Sequence, residues 1–263
     1  MTKIAGNGRV ALVTGAARGI GAATVRALVA DGWLVVATDR CSDDSRLRYP
    51  MGTREELEAL ASDQVLTCVA DTTSEEDLAR AVALAEERYG GLDAALAVAG
   101  VVAGGVPLWE QDADQLEAVL DVDLHGVVAL ARVTVPALLR RPAPRSGRFV
   151  AVSSAAATRG LPMLAAYCAA KAGVTGLVRG LAAELRGTGV TASCVSPGST
   201  RTPVLEESAR LYGLADAEHF ARQQPLERLL EPEEVAAALV WLAGPHSSGV
   251  TGADVAVDGG LAL

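Results

Sequence analysis

The chain has 263 residues, half of them hydrophobic, and a formal net charge of −9 at pH 7. This length suits one α/β domain with a single large core, so we treat residues 1–263 as one domain. The negative charge argues against nucleic acid or an anionic membrane as the main partner, because either would favour a basic surface.

Neither a leader peptide nor a membrane span is predicted. The first apolar run, RVALVT at 9–14, is too short for a signal sequence, and the other apolar windows are broken by glycine. The four cysteines form no CxxC motif and the histidines form no HExxH motif. We therefore expect a reduced, cytoplasmic protein without a metal site.

Short β-branched runs alternate with longer helical patterns along the chain. Nearly continuous apolar runs predict strands at 9–14, 33–39, 65–71, 94–100, 148–154, 190–198 and 254–260. Helical patterns follow the first strand, lie near 53–61, and cover 74–90, where Ser74 and Asp77 have the spacing of a capping box. The alternation predicts a doubly wound parallel sheet with helices on both faces. Ligands of such sheets bind beyond the carboxyl ends of the strands.

The turn after the first predicted strand reads TGAARGIG, at 14–21. Gly15 permits a tight turn, and Gly19 and Gly21 let the backbone and the helix approach a pyrophosphate. The helix that follows supplies free N–H groups for phosphates. We predict a dinucleotide site here, with Arg18 and Ile20 in the same turn. A glycine turn made only for packing is the alternative.

Acidic residues end the next two predicted strands. Asp39 can accept hydrogen bonds from both ribose hydroxyls of NAD, and it would repel the 2′-phosphate of NADP. Arg18 and Arg40 lie nearby and would favour NADP, but we give Asp39 more weight and predict NAD. Asp71, followed by Thr72, is placed to reach the adenine end. Both aspartates have an alternative role as caps of the turn or helix that follows.

Tyr167 and Lys171 stand four residues apart in YCAAK. On a helix this spacing stacks both side chains on one face. Taken alone, such a pair is more often a surface pair than a catalytic one.

Five segments, in this order, resemble the short-chain dehydrogenase/reductase family: TGAARGIG, the serines at 153–154, YCAAK, SPGSTRT at 196–202 and VDGG at 257–260. Together they cover nearly the whole chain. The resemblance implies a Rossmann fold with a seven-stranded parallel sheet, a nicotinamide cofactor and a homotetramer.

The resemblance also implies a role for each catalytic residue. Tyr167 would be the general acid/base that exchanges a proton with the substrate oxygen. A free phenol has a pKa of about 10, and the Lys171 ammonium one turn away would lower it. Lys171 also matches the lysine that holds the nicotinamide ribose. Ser154 matches the serine that hydrogen-bonds the reacting oxygen.

Two further segments would contact the cofactor, by the same resemblance. The backbone after the fourth strand would pass beside it, and the loop after the sixth strand would line the nicotinamide and the phosphates. The residues are Val98, Ala99, Gly100, Pro197, Gly198, Thr200 and Thr202.

Two positions depart from the family pattern. The chain has AVAG at 97–100 where the family often has NNAG, so asparagine hydrogen bonds that brace the sheet are missing. Asp123 stands where the family often has an asparagine that holds a water chain leading to the catalytic lysine. Aspartate can accept the same hydrogen bonds but cannot donate them, and we expect Asn to be tolerated there.

The link after the second strand, RCSDDSRLRYPMGTREEL at 40–57, is unusually long. It resembles a subgroup of the family associated with the redox cofactor mycofactocin, whose members are thought to hold NAD without exchange and to pass electrons to mycofactocin. A longer link beside the adenosine ribose could fold over that end of the cofactor. A solvated surface loop is the alternative.

The substrate walls are expected in the loops 101–109 and 155–164 and in a lid over 199–224. They offer Val, Leu, Met and Trp with few charges, which predicts a small apolar alcohol or ketone. We predict an NAD-dependent alcohol dehydrogenase with mycofactocin as the external electron acceptor. The alternatives are an NADPH-dependent ketone or 3-oxoacyl reductase and a non-catalytic redox sensor.

Overall fold

A computed structural model describes residues 8–263. Its seven strands form one parallel sheet in the order β3-β2-β1-β4-β5-β6-β7. The doubly wound Rossmann-type fold is therefore confirmed. The strands are β1 Val10–Val13, β2 Leu34–Asp39, β3 Val65–Val69, β4 Ala94–Ala97, β5 Arg148–Val152, β6 Thr191–Pro197 and β7 Asp254–Val257.

Helices cover both faces of the sheet. They are α1 Gly19–Ala30, α2 Arg54–Glu58, α3 Glu75–Tyr89, α4 Ala113–Leu120, α5 Gly126–Arg140, α6 Ala165–Glu184, α7 Pro203–Leu211 and α8 Pro232–Ala243. One apolar core lies between the sheet and α3, α5 and α6, and the other lies under α1 and α8. In β1, Val10 and Leu12 face the first core while Ala11 and Val13 face the second. Two buried faces explain why the strands are apolar throughout.

Every strand stops at or before the carboxyl end that the sequence predicts. Thr14, Asp71 and Ser154, for example, leave the sheet and enter the turns that follow. The small apolar turn residues at 98–100 look like strand residues in the sequence, because they continue the apolar run of β4 and are themselves half-buried.

The helices predicted near 53–61 and over 74–90 are present, but the hydrogen bonds at the start of α3 differ in part from a capping box. The Ser74 side chain accepts a hydrogen bond from Asp77 N, as in a capping box. The Asp77 carboxylate, however, accepts from Asp71 N and not from Ser74 N. Helix α2 is shorter than expected, and Thr53 and Glu56 form a complete capping box at its start.

Helices α4 and α5 form one run, Ala113–Arg140, interrupted by a π turn at Asp121–His125. Among residues 8–263 this run is long and apolar enough to cross a membrane by length and composition. Half of its most apolar window is buried against the rest of the fold, as in the core helix of a globular protein. The π turn carries Asp123, and such turns are frequent at functional sites.

Candidate active site

A cleft of about 640 Å³ runs along the carboxyl ends of the strands. This volume lies within the usual range of small-molecule and cofactor sites. Every residue that the sequence analysis assigned to the cofactor lines the cleft, and so does Ser154. Asp123 does not line it. Its side chain is fully buried behind the cleft wall.

The glycine turn after β1 is packed too tightly for side chains. Gly15 has a φ of +65°, and a Cβ there would lie 2.6 Å from Ala99 Cα. A Cβ on Gly21 would lie 1.9 Å from Gly15 O. The N-cap residue of α1, Arg18, makes no side-chain cap, so the first N–H groups of α1 have no capping side chain. A cradle of this form fits the pyrophosphate of a dinucleotide.

Thr14 braces the turns after β1 and β4. Its hydroxyl accepts hydrogen bonds from Val98 N at 3.1 Å and Ala99 N at 3.2 Å. The family's asparagine bonds are absent at 97–98, and the Thr14 hydroxyl therefore supplies a different link between these two turns.

Asp39 is oriented by backbone groups at the cleft wall. Its carboxylate accepts from Ala17 N at 3.1 Å and from Cys41 N at 3.3 Å. A Cβ on Gly52 would lie 3.3 Å and 3.4 Å from the two carboxylate oxygens, so the long link packs directly on Asp39.

The two arginines that could have met a 2′-phosphate are engaged elsewhere. Arg18 donates to Pro50 O at 2.6 Å. Arg40 forms ion pairs with Asp44 at 2.9 Å and with Asp71 at 3.4 Å. Both guanidinium groups therefore hold the long link in place.

The long link, which we call the insertion (residues 40–53), is anchored by charge. The Asp44 side chain is 5% exposed and pairs with Arg46 at 2.9 Å. Arg46 reaches across to Asp121, the first residue of the π turn, at 2.7 Å. The Arg46 hydrogen bonds hold the pKa of the Asp44 carboxyl well below its usual range, despite burial. These pairs connect the insertion to the helix that carries Asp123.

The insertion also covers the cleft with apolar side chains. Leu47, Tyr49 and Met51 line the cleft and pack in one apolar cluster with Tyr167. The Tyr49 hydroxyl accepts from Val102 N at 3.0 Å. None of these three residues was expected at the site from the sequence. The available signal was the run L-R-Y-P-M, three large apolar residues inside an otherwise polar segment.

The catalytic candidates meet at α6. Lys171 is 3% exposed, donates to Val152 O at 3.3 Å, and lies 3.7 Å from Asp123 Oδ2. Its Nζ is 5.6 Å from the centroid of the Tyr167 ring. Asp123 Oδ1 accepts from Val101 N at 2.8 Å, whereas its buried Oδ2 has no hydrogen-bond partner. The Lys171 ammonium is thus the nearest counter-charge to that oxygen.

The electrostatics differ from the expectation for Tyr167. Burial raises the pKa of Asp123 to about 6, and the Lys171 charge opposes this shift. Burial, followed by the negative charge of Asp123, raises the pKa of Tyr167 above its ordinary value, and the Ser154 side chain opposes the shift. The sequence predicted a Tyr167 pKa lowered by Lys171, whereas in this structure the pKa is raised, with burial as the largest cause.

The substrate walls differ in part from the expectation. Residues of loop 155–164 and of the lid line the cleft, including Leu161, Leu205 and Phe220. Of loop 101–109 only Val101 does so, and Trp109 is 84% exposed. Trp109 lies on a surface turn, and its apolar character therefore says nothing about the substrate.

Comparison with known proteins agrees with this geometry. A family model described as enoyl-(acyl carrier protein) reductase matches residues 15–262. The cis-4-hydroxycyclohexanecarboxylate dehydrogenase of Sinomonas cyclohexanicum is 38% identical over 96% of each chain. An NAD-dependent oxidoreductase of Mycobacterium tuberculosis is 35% identical over 97% of this chain and 96% of its own. A crystal structure of 3-ketoacyl-(acyl-carrier-protein) reductase from Brucella melitensis with NADH superposes with a TM-score of 0.85, at 27% identity, over 97% of this chain and 99% of the other.

Proposed function

Because this chain belongs to the short-chain dehydrogenase/reductase family and is an oxidoreductase acting on CH–OH groups, we propose that it is an NAD-dependent alcohol dehydrogenase with Tyr167 as the acid/base. One observation carries the proposal. Tyr167, Lys171 and Ser154 line the same cleft as the glycine cradle and Asp39.

The cleft suits a nicotinamide dinucleotide along its length. The glycine turn and the start of α1 would hold the pyrophosphate, Asp39 the adenosine ribose, and Lys171 the nicotinamide ribose. Asp71 and Thr72 would lie at the adenine, and the backbone at 98–100 and the loop at 197–202 along the nicotinamide half. When bound, the nicotinamide accepts or supplies hydride at the substrate carbon.

The protein's own groups handle the proton. The Ser154 hydroxyl accepts a hydrogen bond from Ala156 N at 3.1 Å, and its O–H, which lies beside the Tyr167 hydroxyl, would donate to the substrate oxygen. The Tyr167 phenolate would take the proton from the alcohol, and the phenol would return it in the reverse direction. Lys171 would stabilise the phenolate. Asp123, buried beside Lys171, would position the ammonium and is a positioning residue.

We propose NAD as the cofactor in preference to NADP. Asp39 would place a carboxylate against the 2′-phosphate of NADP. Arg18 and Arg40, which could have compensated, are bound to Pro50 O and to Asp44 and Asp71. An unpaired phosphate beside a carboxylate is costly, so NAD is favoured.

We propose mycofactocin as the external electron acceptor. The resemblance of the insertion to that subgroup motivates it, and the insertion lines the cleft from Arg40 to Gly52. A segment packed on Asp39 would slow release of the adenosine end. Bound NAD would then have to be reoxidised in place by an external acceptor.

A ketone or 3-oxoacyl reductase is the alternative, favoured by the description of the family model and by the Brucella melitensis structure. Preference for NADPH and rapid exchange of the cofactor would support it. A redox sensor without turnover is the third possibility, and the intact Ser154, Tyr167 and Lys171 set argues against it.

The proposal is tested by Tyr167→Phe, assayed on a panel of alcohols with an artificial electron acceptor. Turnover should fall by about 10²- to 10⁴-fold while the NAD content stays unchanged, because only the proton-transferring oxygen is lost. Tyr89→Phe, which makes the same change away from the cleft, should leave turnover intact. Near-normal turnover in Tyr167→Phe would contradict the assigned role.

A further inference from the structure

The strand order separates the two ends of the cleft. Asp39 ends β2 and Asp71 comes after β3, both on one flank of the sheet. The loop after β5, the lid and the C-terminal segment after β7 lie on the other flank. With about 4.8 Å between neighbouring strands, β2 and β5 are about 14 Å apart. The second flank, next to Ser154 and Tyr167, is therefore where a substrate would lie.

This flank is lined almost entirely by uncharged side chains. Among the cleft-lining residues that the loop after β5, the lid and the C-terminal segment supply within residues 8–263, Arg159 alone carries a charge. Its neighbours in the lining include Leu161, Leu205, Phe220 and Leu261. The Arg159 side chain is exposed, so this cation stands where a ligand that enters the cleft from solvent can reach it.

The Arg159 guanidinium is held at the wall. Its Nη1 donates to Leu261 O at 2.6 Å, and Leu261 is itself a buried lining residue. No carboxylate within residues 8–263 forms an ion pair with Arg159. The chain has 32 acidic and 23 basic residues, so a partner could have been supplied. By contrast, the cleft-lining Arg40 pairs with two aspartates.

A guanidinium has five N–H donors, and the bond to Leu261 O uses one of them. The remaining fork matches the two oxygens of a carboxylate. A phosphate carries more charge and would favour a second cation on this flank, where Arg159 is alone. A monoanion fits better.

We propose that Arg159 binds a carboxylate of the substrate, so that the substrate is an apolar hydroxy acid whose carboxylate lies remote from the carbinol carbon. The apolar wall holds the hydrocarbon between the two polar ends, and Ser154 and Tyr167 meet the hydroxyl. This inference rests on the proposed dehydrogenase function, because it assigns the substrate of the same cleft. It adds a carboxylate to the small, mainly apolar alcohol or ketone expected from the sequence.

The test is a binding measurement on the NAD-loaded protein. Cyclohexanecarboxylate and cyclohexanecarboxamide have nearly the same shape and differ in charge, and calorimetry gives the affinity of each. Wild type should bind the carboxylate about 10- to 100-fold more tightly than the amide, as a charge-assisted hydrogen bond implies. Arg159→Leu should abolish this preference, and Arg159→Lys should keep part of it. Arg186→Leu removes an exposed arginine outside the cleft and should keep the preference in full.

Three results would overturn the inference: no preference for the carboxylate in wild type, no carboxylate binding at millimolar concentration, or an unchanged preference in Arg159→Leu. Melting temperatures show that each variant is folded. Since binding is measured without turnover, the two proposals can fail separately. A carboxylate preference that depends on Arg159, in a protein that oxidises no alcohol, would overturn the proposed function alone.

Discussion

Asp123 and Lys171 form a buried ion pair, with Oδ2 and Nζ 3.7 Å apart and side-chain exposures of 0% and 3%. Removing two charges from water is expensive, and their attraction compensates only when the remaining polar atoms are satisfied. Asp123 Oδ1 is satisfied by Val101 N, but Oδ2 has only the ammonium nearby. The pair is therefore better explained by control of the charge beside Tyr167 than by stability.

The first residue-scale prediction concerns Asp123→Asn. The amide can still accept from Val101 N, and the negative charge that raises the pKa of Tyr167 is removed. Activity should hold or rise at neutral pH, because the Tyr167 pKa falls and more phenolate is present. In a profile of kcat/KM against pH, the rise assigned to Tyr167 should move to lower pH. Any inflection near pH 6, where Asp123 titrates, should disappear.

Asp123→Ala is the matched control, since it also removes the acceptor for Val101 N and should destabilise the protein by about 1–3 kcal/mol. If Asp123→Asn loses its activity at every pH, the carboxylate charge itself is required. An unshifted profile would mean that Asp123 does not act on Tyr167.

The second residue-scale prediction concerns Asp39→Ala. The variant should bind NAD about tenfold more weakly or worse, because charge-assisted hydrogen bonds to the ribose are lost. The affinity for NADP should rise by less than the affinity for NAD falls, since Arg18 is hydrogen-bonded to the insertion and Arg40 is paired with Asp71. Mass spectrometry of the cofactor carried by each purified protein gives the ratio of NADP to NAD, which should rise. Wild type carrying mainly NADP would refute the assignment.

At the scale of elements, the insertion and the lid close the cleft from different sides. The lid is held by Tyr212, whose hydroxyl donates to Pro162 O at 2.7 Å and whose ring meets Phe220 edge to face. The insertion is held by Arg46, which pairs with Asp44 and Asp121. Losing Arg46 would leave the Asp44 carboxylate, 5% exposed, with Arg40 as its remaining cation.

The element-scale prediction is therefore that Arg46→Leu loosens the insertion and speeds NAD release by about tenfold or more, through the off-rate. Arg48→Leu is the control, because Arg48 is an exposed arginine of the same insertion that forms no ion pair within residues 8–263. Exchange of bound NAD against isotopically labelled NAD measures the rate. Equal rates in both variants and wild type would show that the insertion does not retain the cofactor, and shortening residues 42–52 should give the largest increase.

At the scale of the whole molecule, the single sheet has a core on each face and carries all of the proposed cofactor residues at the carboxyl ends of its strands. One domain would therefore hold the whole cofactor. The homotetramer and the cytoplasmic location stay predictions, and sedimentation would test the first of them.

The whole-molecule prediction is that NAD copurifies with the protein and survives extended dialysis. Turnover with added NAD alone should be slow, and an artificial electron acceptor should increase it. Removal of NAD should lower the melting temperature, because a ligand that binds only the folded state stabilises it by mass action. A protein that purifies empty and turns over freely with added NAD would refute the mycofactocin assignment and leave an ordinary dehydrogenase.

The sequence by itself determined the seven strands, the doubly wound sheet and the cleft-lining motifs, because each of these depends on local periodicity or on short motifs. Gly15, Gly21 and Tyr167 could be assigned because their chemistry is tied to a turn or to the spacing along one helix. Contacts between distant segments could not be predicted in this way. Only the tertiary structure decided that Asp123 pairs with Lys171, that Arg46 anchors the insertion and that Arg159 faces the cleft without a carboxylate partner. Each of these contacts joins side chains from segments that are distant in the chain and come together at the carboxyl ends of the strands. No local sequence pattern predicts such a contact.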